Sequence, residues 1–372
     1  MNPPGKKIDY LEALRFTLAF LTMVWHYYYF GPRGNHVAGA ALSGFPIRYF
    51  SFSVEVFFAI SGFIIVASAI NRRPVDFLIG RLVRLGPCLL VCATISVAAG
   101  LLFGHRPTLQ SYFASIFVLP LAFTNGADWS YWSLRMEIVF YAVIFLCACF
   151  VNIEKNILRI ALLLLAYDAI GIVGSQIFGV DLYGSAGAQY PLDHYASFFA
   201  IGMLLYLMLA KKTLSWGIAV AFVVALCNGS FRCYEEANRI AKLVNDVPVG
   251  LLTGAAILLV GVAVFAVCVR STRSTRLSSI FSVLGKTSYP LYLLHQNMGY
   301  LLISFLETHF RLAIDARVCV MAAMVLLAGL IALYVEPVLA SVYRRYLARL
   351  AGTGNLLVPR VASTKRSFGD VE

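Results

Sequence analysis

Apolar residues fall in long runs along this chain, separated by short polar stretches. Ten of the runs approach the roughly 20 residues that a helix needs to cross a bilayer core. They cover residues 11–30, 50–70, 86–103, 134–151, 157–178, 194–210, 214–227, 248–269, 288–306 and 318–339. The pattern predicts an all-α polytopic membrane protein with about ten transmembrane helices. A further apolar stretch at 111–124 has only 14 residues. It is expected to be re-entrant or interfacial, because counting it as a crossing would invert the basic loops that follow. The first run follows Lys6 and Lys7, is longer than a signal-peptide core and lacks a small-residue cleavage site, so it is expected to remain as a span.

Composition strengthens this picture. The 372 residues are 60% hydrophobic and 13% charged, with a mean hydropathy of +0.80. Soluble domains are about 45–50% apolar and about 25% charged, so an ordinary soluble domain is excluded. Aromatics at 14% with so little charge exclude disorder as well. The net charge of +12 is gathered at Lys6/Lys7, Arg72, Arg73, Arg81, Arg84, Lys155, Lys211/Lys212, Arg270/Arg273/Arg276 and the segment from Arg344 onward. Clustering in short loops is the mark of cytoplasmic topology and not of a nucleic-acid surface. Ten spans with both termini cytoplasmic satisfy every cluster. The extracytoplasmic loops are then 31–49, 104–133, 179–193, 228–247 and 307–317. Residues 1–345 form one integral-membrane domain, and 346–372 a polar cytoplasmic tail.

Of eight cysteines, Cys88, Cys92, Cys147, Cys149, Cys268 and Cys319 lie in or beside apolar runs, where the thiol behaves as a small hydrophobe. Cys227 and Cys233 bracket NGSFR on the side assigned as extracytoplasmic, where a disulfide is open to them. No Cys/His array has zinc spacing, and no metal is expected.

Ionisable side chains inside apolar spans are costly and are functional candidates by default. The first run carries Arg15 and His26, eleven residues apart. That is about 16 Å of helix and close to three turns, so both face one side. Glu55 lies near the outer end of the second run, with Ser61 and Gly62 near mid-membrane, where small residues suit close helix packing. WSYWSLRME places Trp132, Arg135 and Glu137 at the outer boundary of the fourth run, and KTSYPLYLLHQN places Tyr292 and His295 in the ninth. By depth, His26, Glu55 and Glu137 could meet in the outer half, with Arg15 and His295 lining a path below. A histidine beside a carboxylate suits general-base catalysis. Arg72, Arg73, Arg81 and Arg84 on the cytoplasmic side suit phosphate, and Arg81 and Arg84 share a helical face.

These segments in this order resemble the acyltransferase type 3 family of integral-membrane acyltransferases. The match runs through Arg15/His26; Phe57, Phe58, Ser61 and Gly62; Arg81/Arg84; Trp132-Ser133-Leu134, Glu137, Phe140 and Tyr141; then Ser288, Tyr289, Leu291-Tyr292-Leu293 and His295; and Glu336-Pro337. Where many members carry Asp ahead of the paired Phe, this chain has Glu55-Val56. The resemblance implies transfer of an acyl group, usually acetyl from cytosolic acetyl-CoA, to a sugar hydroxyl of a surface polysaccharide or glycolipid at the bacterial inner membrane. His26 is then the base, supported by Glu137 or Glu55. Arg15, Arg73, Arg81 and Arg84 serve the donor, and His295, Tyr292, Ser61 and Trp132 line the substrate channel. The rival function is a proton-coupled secondary transporter, with Arg15, Glu55, Glu137 and His295 as coupling groups. It would call for repeated halves or a matched pair of broken spans, and the sequence offers neither.

Overall fold

In the computed structural model the apolar runs fold as helices, the conformation that satisfies every backbone N–H and C=O within one segment. The structure describes residues 9–350 except 43, 45, 104–106, 118–127, 179–183, 186–187, 190–191, 193, 272–276 and 311–313. Helix α1 (Asp9–Trp25) runs on into a π turn, His26–Phe30, and a short α2 (Gly31–Arg33). A 3₁₀ stretch, Ile47–Phe52, leads into α3 (Ser53–Ala69). There follow α4 (Pro74–Leu102), α5 (Leu109–Phe117), α6 (Tyr131–Phe150) and α7 (Ile153–Phe178). Two two-residue antiparallel strands, β1 (Gly184–Ser185) and β2 (Ala188–Gln189), precede α8 (Ala196–Leu205), which ends in a π turn at Tyr206–Ala210. The remainder is α9 (Trp216–Leu243), α10 (Leu251–Arg270), α11 (Ser278–Leu294), α12 (Asn297–His309), α13 (Ala316–Leu330), a π turn at Ile331–Val335, and α14 (Glu336–Leu350).

Seven described helical stretches are long and apolar enough to cross a membrane, which makes this a multi-pass integral membrane protein: Ile47–Ala69, Pro74–Leu102, Tyr131–Phe150, Ile153–Ile177, Trp216–Leu243, Leu251–Arg270 and Ala316–Leu347. The other three expected crossings each depart from a plain apolar span. In α1 and its π turn, Arg15, His26 and three tyrosines dilute the apolar run. With its π turn, α8 is a shorter apolar helix, Ala196–Ala210. The ninth run is broken at His295-Gln296 into α11 and α12.

Several boundaries move for local reasons. The third span begins at Pro74, a residue pre-set for the first helical turn, so Arg81 and Arg84 stand inside a 29-residue helix and not in a loop. The expected loop 228–247 is helical through Leu243: α9 turns amphipathic there, burying Gly229, Arg232, Cys233, Ala237 and Ile240, so mean hydropathy drops while the helix continues. Cys227 and Cys233 are therefore free thiols six positions apart on one helix. Their separation of about 9 Å exceeds the roughly 7 Å that a disulfide can bridge. The stretch expected to be re-entrant is represented by the nine residues of α5, about 14 Å, too short for a crossing. It docks on α4 through a 2.8 Å bond between the Tyr112 and Thr94 hydroxyls; residues 118–127 lie outside the described part, as do the termini before 9 and after 350.

Within the bundle α1 packs chiefly on α11, and α3 on α8. The second contact is backbone on backbone. A Cβ at Gly62 would strike the Phe199 carbonyl, and one at Gly202 the Ala59 carbonyl. Close approach of this kind compensates for the missing hydrophobic drive between helices in lipid. Gly202→Val is expected to destabilise the bundle by about 1–3 kcal/mol or more. The readout is the thermal midpoint of the detergent-solubilised protein, set against Gly250→Ala, a site with open space for a side chain.

Candidate active site

Arg15, on α1, and His26, first residue of the π turn that continues it, open into different cavities. The inner cavity, toward the end where the basic clusters lie, measures about 130 Å³ and is walled by Arg15, Arg81, Arg84, Ser61, Glu137 and Tyr141 among others. The outer cavity measures about 190 Å³ and is walled by His26, Glu55, Trp25, Trp129, Trp132, Glu236 and Arg239 among others. Val54 and Tyr292 line both, so the Tyr292 side chain stands at the partition. A 2.8 Å bond to the Ser133 hydroxyl holds the Tyr292 phenol there.

Three guanidiniums converge on the inner cavity. Arg15 lies 3.4 Å from Glu12, and Arg84 lies 3.4 Å from Glu336. Arg81 forms no ion pair among the described residues. It sits over the Phe77 and Tyr141 rings at 5.7 and 5.8 Å, and its Nε is buried without a hydrogen-bond partner. Glu137 accepts from the Tyr141 hydroxyl at 2.6 Å and from Ser61 at 3.1 Å. Arg135, two positions away, points elsewhere, since i and i+2 do not face each other on a helix. Arg73 is exposed, forks onto Asp76 at 2.7 and 3.0 Å, and touches neither cavity.

His26 opens the π turn of α1, a helix irregularity common at functional sites. Its Nδ1 lies 2.9 Å from the Thr22 carbonyl and 3.0 Å from His295 Nε2. His295 Nδ1 lies 2.7 Å from the Tyr292 carbonyl. Carbonyls only accept, so His295 carries its proton on Nδ1 and His26 carries one on Nδ1. Two N–H groups cannot face each other, so His295 Nε2 is a lone pair accepting from His26. Both rings are neutral under this assignment, and His26 Nε2 is left as the free basic nitrogen of a ring that lines the outer cavity.

His295 is held by the broken helix itself. Pro290 lies inside α11, which ends at Leu294, and His295 and Gln296 form the turn before α12. The His295 carbonyl freed by the break accepts the Tyr27 hydroxyl at 2.6 Å. Asp128 accepts the Asn297 and Ser130 N–H groups at 2.9 and 2.8 Å. Burial pushes the Asp128 carboxyl up to about 6, against the pull of those N–H donors. Gly299 leaves the room that Tyr27 occupies.

The site thus differs from its sequence forecast in four respects. Glu137 does not touch His26: it lines the inner cavity with Arg15 and accepts from Ser61 and Tyr141. Glu55 shares the outer cavity with His26 but makes no bond to it. His295, 0% exposed, lines neither cavity and backs His26 instead. Arg73 is spent on Asp76. Arg15, Arg81, Arg84 and Ser61 come together in one cavity, Trp132 lies in the other, and Tyr292 lies between.

Sequence reasoning missed Thr22, Asp128, Glu236 and Arg239. It also missed a buried pair between α7 and α9, in which Arg232 Nε donates to Asp168 at 2.9 Å with Ser197, Glu235 and His194 around it. Asp168 sits mid-run in the fifth apolar segment, the signal that would have found it. Among the described residues no group of His, Cys, Asp and Glu is placed to hold a metal ion.

A family model described as an acyltransferase domain, that of the type 3 acyltransferases, matches residues 8–333. No curated protein matches the chain, and no solved structure does.

Proposed function

Given that the chain belongs to the acyltransferase type 3 family, we propose that it moves an acetyl group from cytosolic acetyl-CoA to a sugar hydroxyl of a surface polysaccharide or glycolipid at the bacterial inner membrane. The observation that supports this most is the His26 ring, its Nδ1 engaged by Thr22 and His295, at the wall of a cavity that shares Val54 and Tyr292 with a second cavity lined by Arg15, Arg81 and Arg84.

On this proposal the inner cavity serves the donor. Its size suits a slender thioester arm and not a nucleotide, and the guanidiniums of Arg81 and Arg84 attract the phosphates at its mouth. Arg15 lines the path of the arm. From the outer side the acceptor hydroxyl reaches His26. Nε2 takes its proton as the oxygen forms a bond to the thioester carbonyl carbon. The tetrahedral intermediate then breaks its C–S bond, giving the ester and a thiolate, and the imidazolium proton goes to the thiolate. The positive charge that forms on His26 is spread through Nδ1–H toward His295 and the Thr22 carbonyl. Proximity of two substrates arriving from opposite sides supplies the rest.

The test is release of CoA thiol from acetyl-CoA by the purified protein with and without a glycan acceptor fraction, together with loss of acetyl ester from surface glycans in a deletion strain. Solute uptake into liposomes independent of CoA would point to transport instead. Arg81→Ala is expected to raise the apparent acetyl-CoA KM about tenfold or more with kcat nearly kept. Arg84→Ala should raise it less, because Glu336 already engages that guanidinium. An unchanged KM in both variants would remove the donor role from this pair.

A further inference from the structure

Glu55 is a buried acid that the transfer step does not use. It is 4% exposed, stands in the outer cavity wall, and one of its carboxylate oxygens has no hydrogen-bond partner. Buried polar atoms are nearly always paired, so an orphan oxygen on a residue that lines a cavity is a place where a partner from outside the chain can bind. The other charges nearby are already matched: Arg239 forks onto Glu236 at 2.6 and 2.7 Å. Among the described residues of this wall, Glu55 is the acid that forms no ion pair.

The cavity around it is aromatic. Trp25, Trp129 and Trp132, three of the chain's four tryptophans, line it. Indole faces suit the C–H faces of a ring, while a few placed acceptors fix its orientation. A carbohydrate ring presents both surfaces, an apolar face and an edge of hydroxyl donors.

We propose that Glu55 and the three indoles form the acceptor-binding subsite, with the unpartnered Glu55 oxygen accepting a hydrogen bond from a ring hydroxyl other than the one that His26 deprotonates. Glu55 then decides which hydroxyl is acylated, because anchoring one position of the ring fixes which position meets Nε2. An acceptor lacking the anchoring hydroxyl leaves the buried oxygen unpaired again, and sites of that design reject such analogues strongly. The assignment rests on the acyl-transfer function only through the cavity that Glu55 shares with His26.

The fourth tryptophan, Trp216, is 85% exposed at the start of α9, so Trp216→Phe leaves an emission that reports on the outer cavity alone. In that background the full-length protein, in a detergent without a sugar headgroup, is titrated with methyl glycosides of common hexoses and with their monodeoxy analogues. At least one glycoside is expected to shift the indole emission saturably. One of its deoxy analogues should bind about tenfold more weakly or worse. Glu55→Leu, which keeps the bulk and removes the acceptor, should bind parent and deoxy analogue alike, both at the weaker level. The proposal is overturned by no saturable shift with any glycoside, by deoxy analogues that all bind like the parent, or by undiminished affinity in Glu55→Leu. Should Glu55→Leu fail to fold, the deoxy series on the protein retaining Glu55 decides alone. The fluorescence needs no acyl donor. Glycoside binding without thiol release from acetyl-CoA would count against the transfer function, and thiol release without glycoside binding against this subsite.

Discussion

Replacing His26 with alanine is expected to lower acyl transfer by roughly 10²–10⁴-fold, the span that a positioned general base usually contributes. The residual rate would come from holding donor and acceptor together. Apparent KM for acetyl-CoA should change little, because the guanidiniums assigned to the donor belong to the inner cavity and His26 to the outer one. The fold should survive. His26 is buried but packs against Trp25 and Phe30 at ring-centroid distances of 4.7 and 6.0 Å, and those two rings also stack on each other. Losing the imidazole leaves His295 Nε2 without its donor, a cost of about 1–3 kcal/mol. Thiol release measured on monodisperse His26→Ala decides the matter. Activity within threefold of wild type would mean that the base lies elsewhere.

The class of fold and the ends of the site were legible in the sequence because burial from water is written in hydropathy. That Arg15 and His26 ride on one helical run was legible too, since nothing between them breaks a helix. Neighbourhood was not. Depth along a span says nothing of which side a helix turns, so Glu137, Glu55 and His26 could be placed at one level without touching. In the structure α6 turns Glu137 toward Ser61 and Tyr141, and the ring that meets His26 comes from His295.

Two features had no sequence signal of sufficient strength. The π turn at His26–Phe30 widens α1 by one residue where HYYYF offers no helix breaker. The break at His295-Gln296 follows Pro290 by five residues and depends on Tyr27 and Asp128, from the π turn after α1 and the segment before α6, to satisfy backbone groups on either side of it. A discontinuity of this kind at membrane depth is tolerated only where protein supplies the partners. Conversely, Arg81 and Arg84, read from the sequence as charges of a cytoplasmic loop, stand inside a helix. The positive-inside rule counts charge and is blind to α4 having started about three turns earlier than the apolar run, at Pro74.

The same broken helix sets the second large expectation. His295 does not line either cavity, so its effect on transfer must pass through His26. With the Tyr292 carbonyl fixing the proton on His295 Nδ1, Nε2 can only accept, and His26 is confined to the tautomer whose Nε2 is basic. His295→Ala removes that acceptor and leaves the Thr22 carbonyl alone to hold the ring. We expect kcat to fall about 10–100-fold, the scale on which orienting partners of functional histidines act, with KM for acetyl-CoA unchanged. Glutamine at this position can donate its amide N–H to the Tyr292 carbonyl while its oxygen accepts from His26 Nδ1, so His295→Gln should recover most of the loss. Asparagine, shorter by one methylene, should not reach both partners. A purely structural role would lower stability alike in all three variants and leave kcat per folded molecule intact. Equal kcat values for alanine and glutamine, each normalised to the monodisperse fraction, would refute the tautomer role.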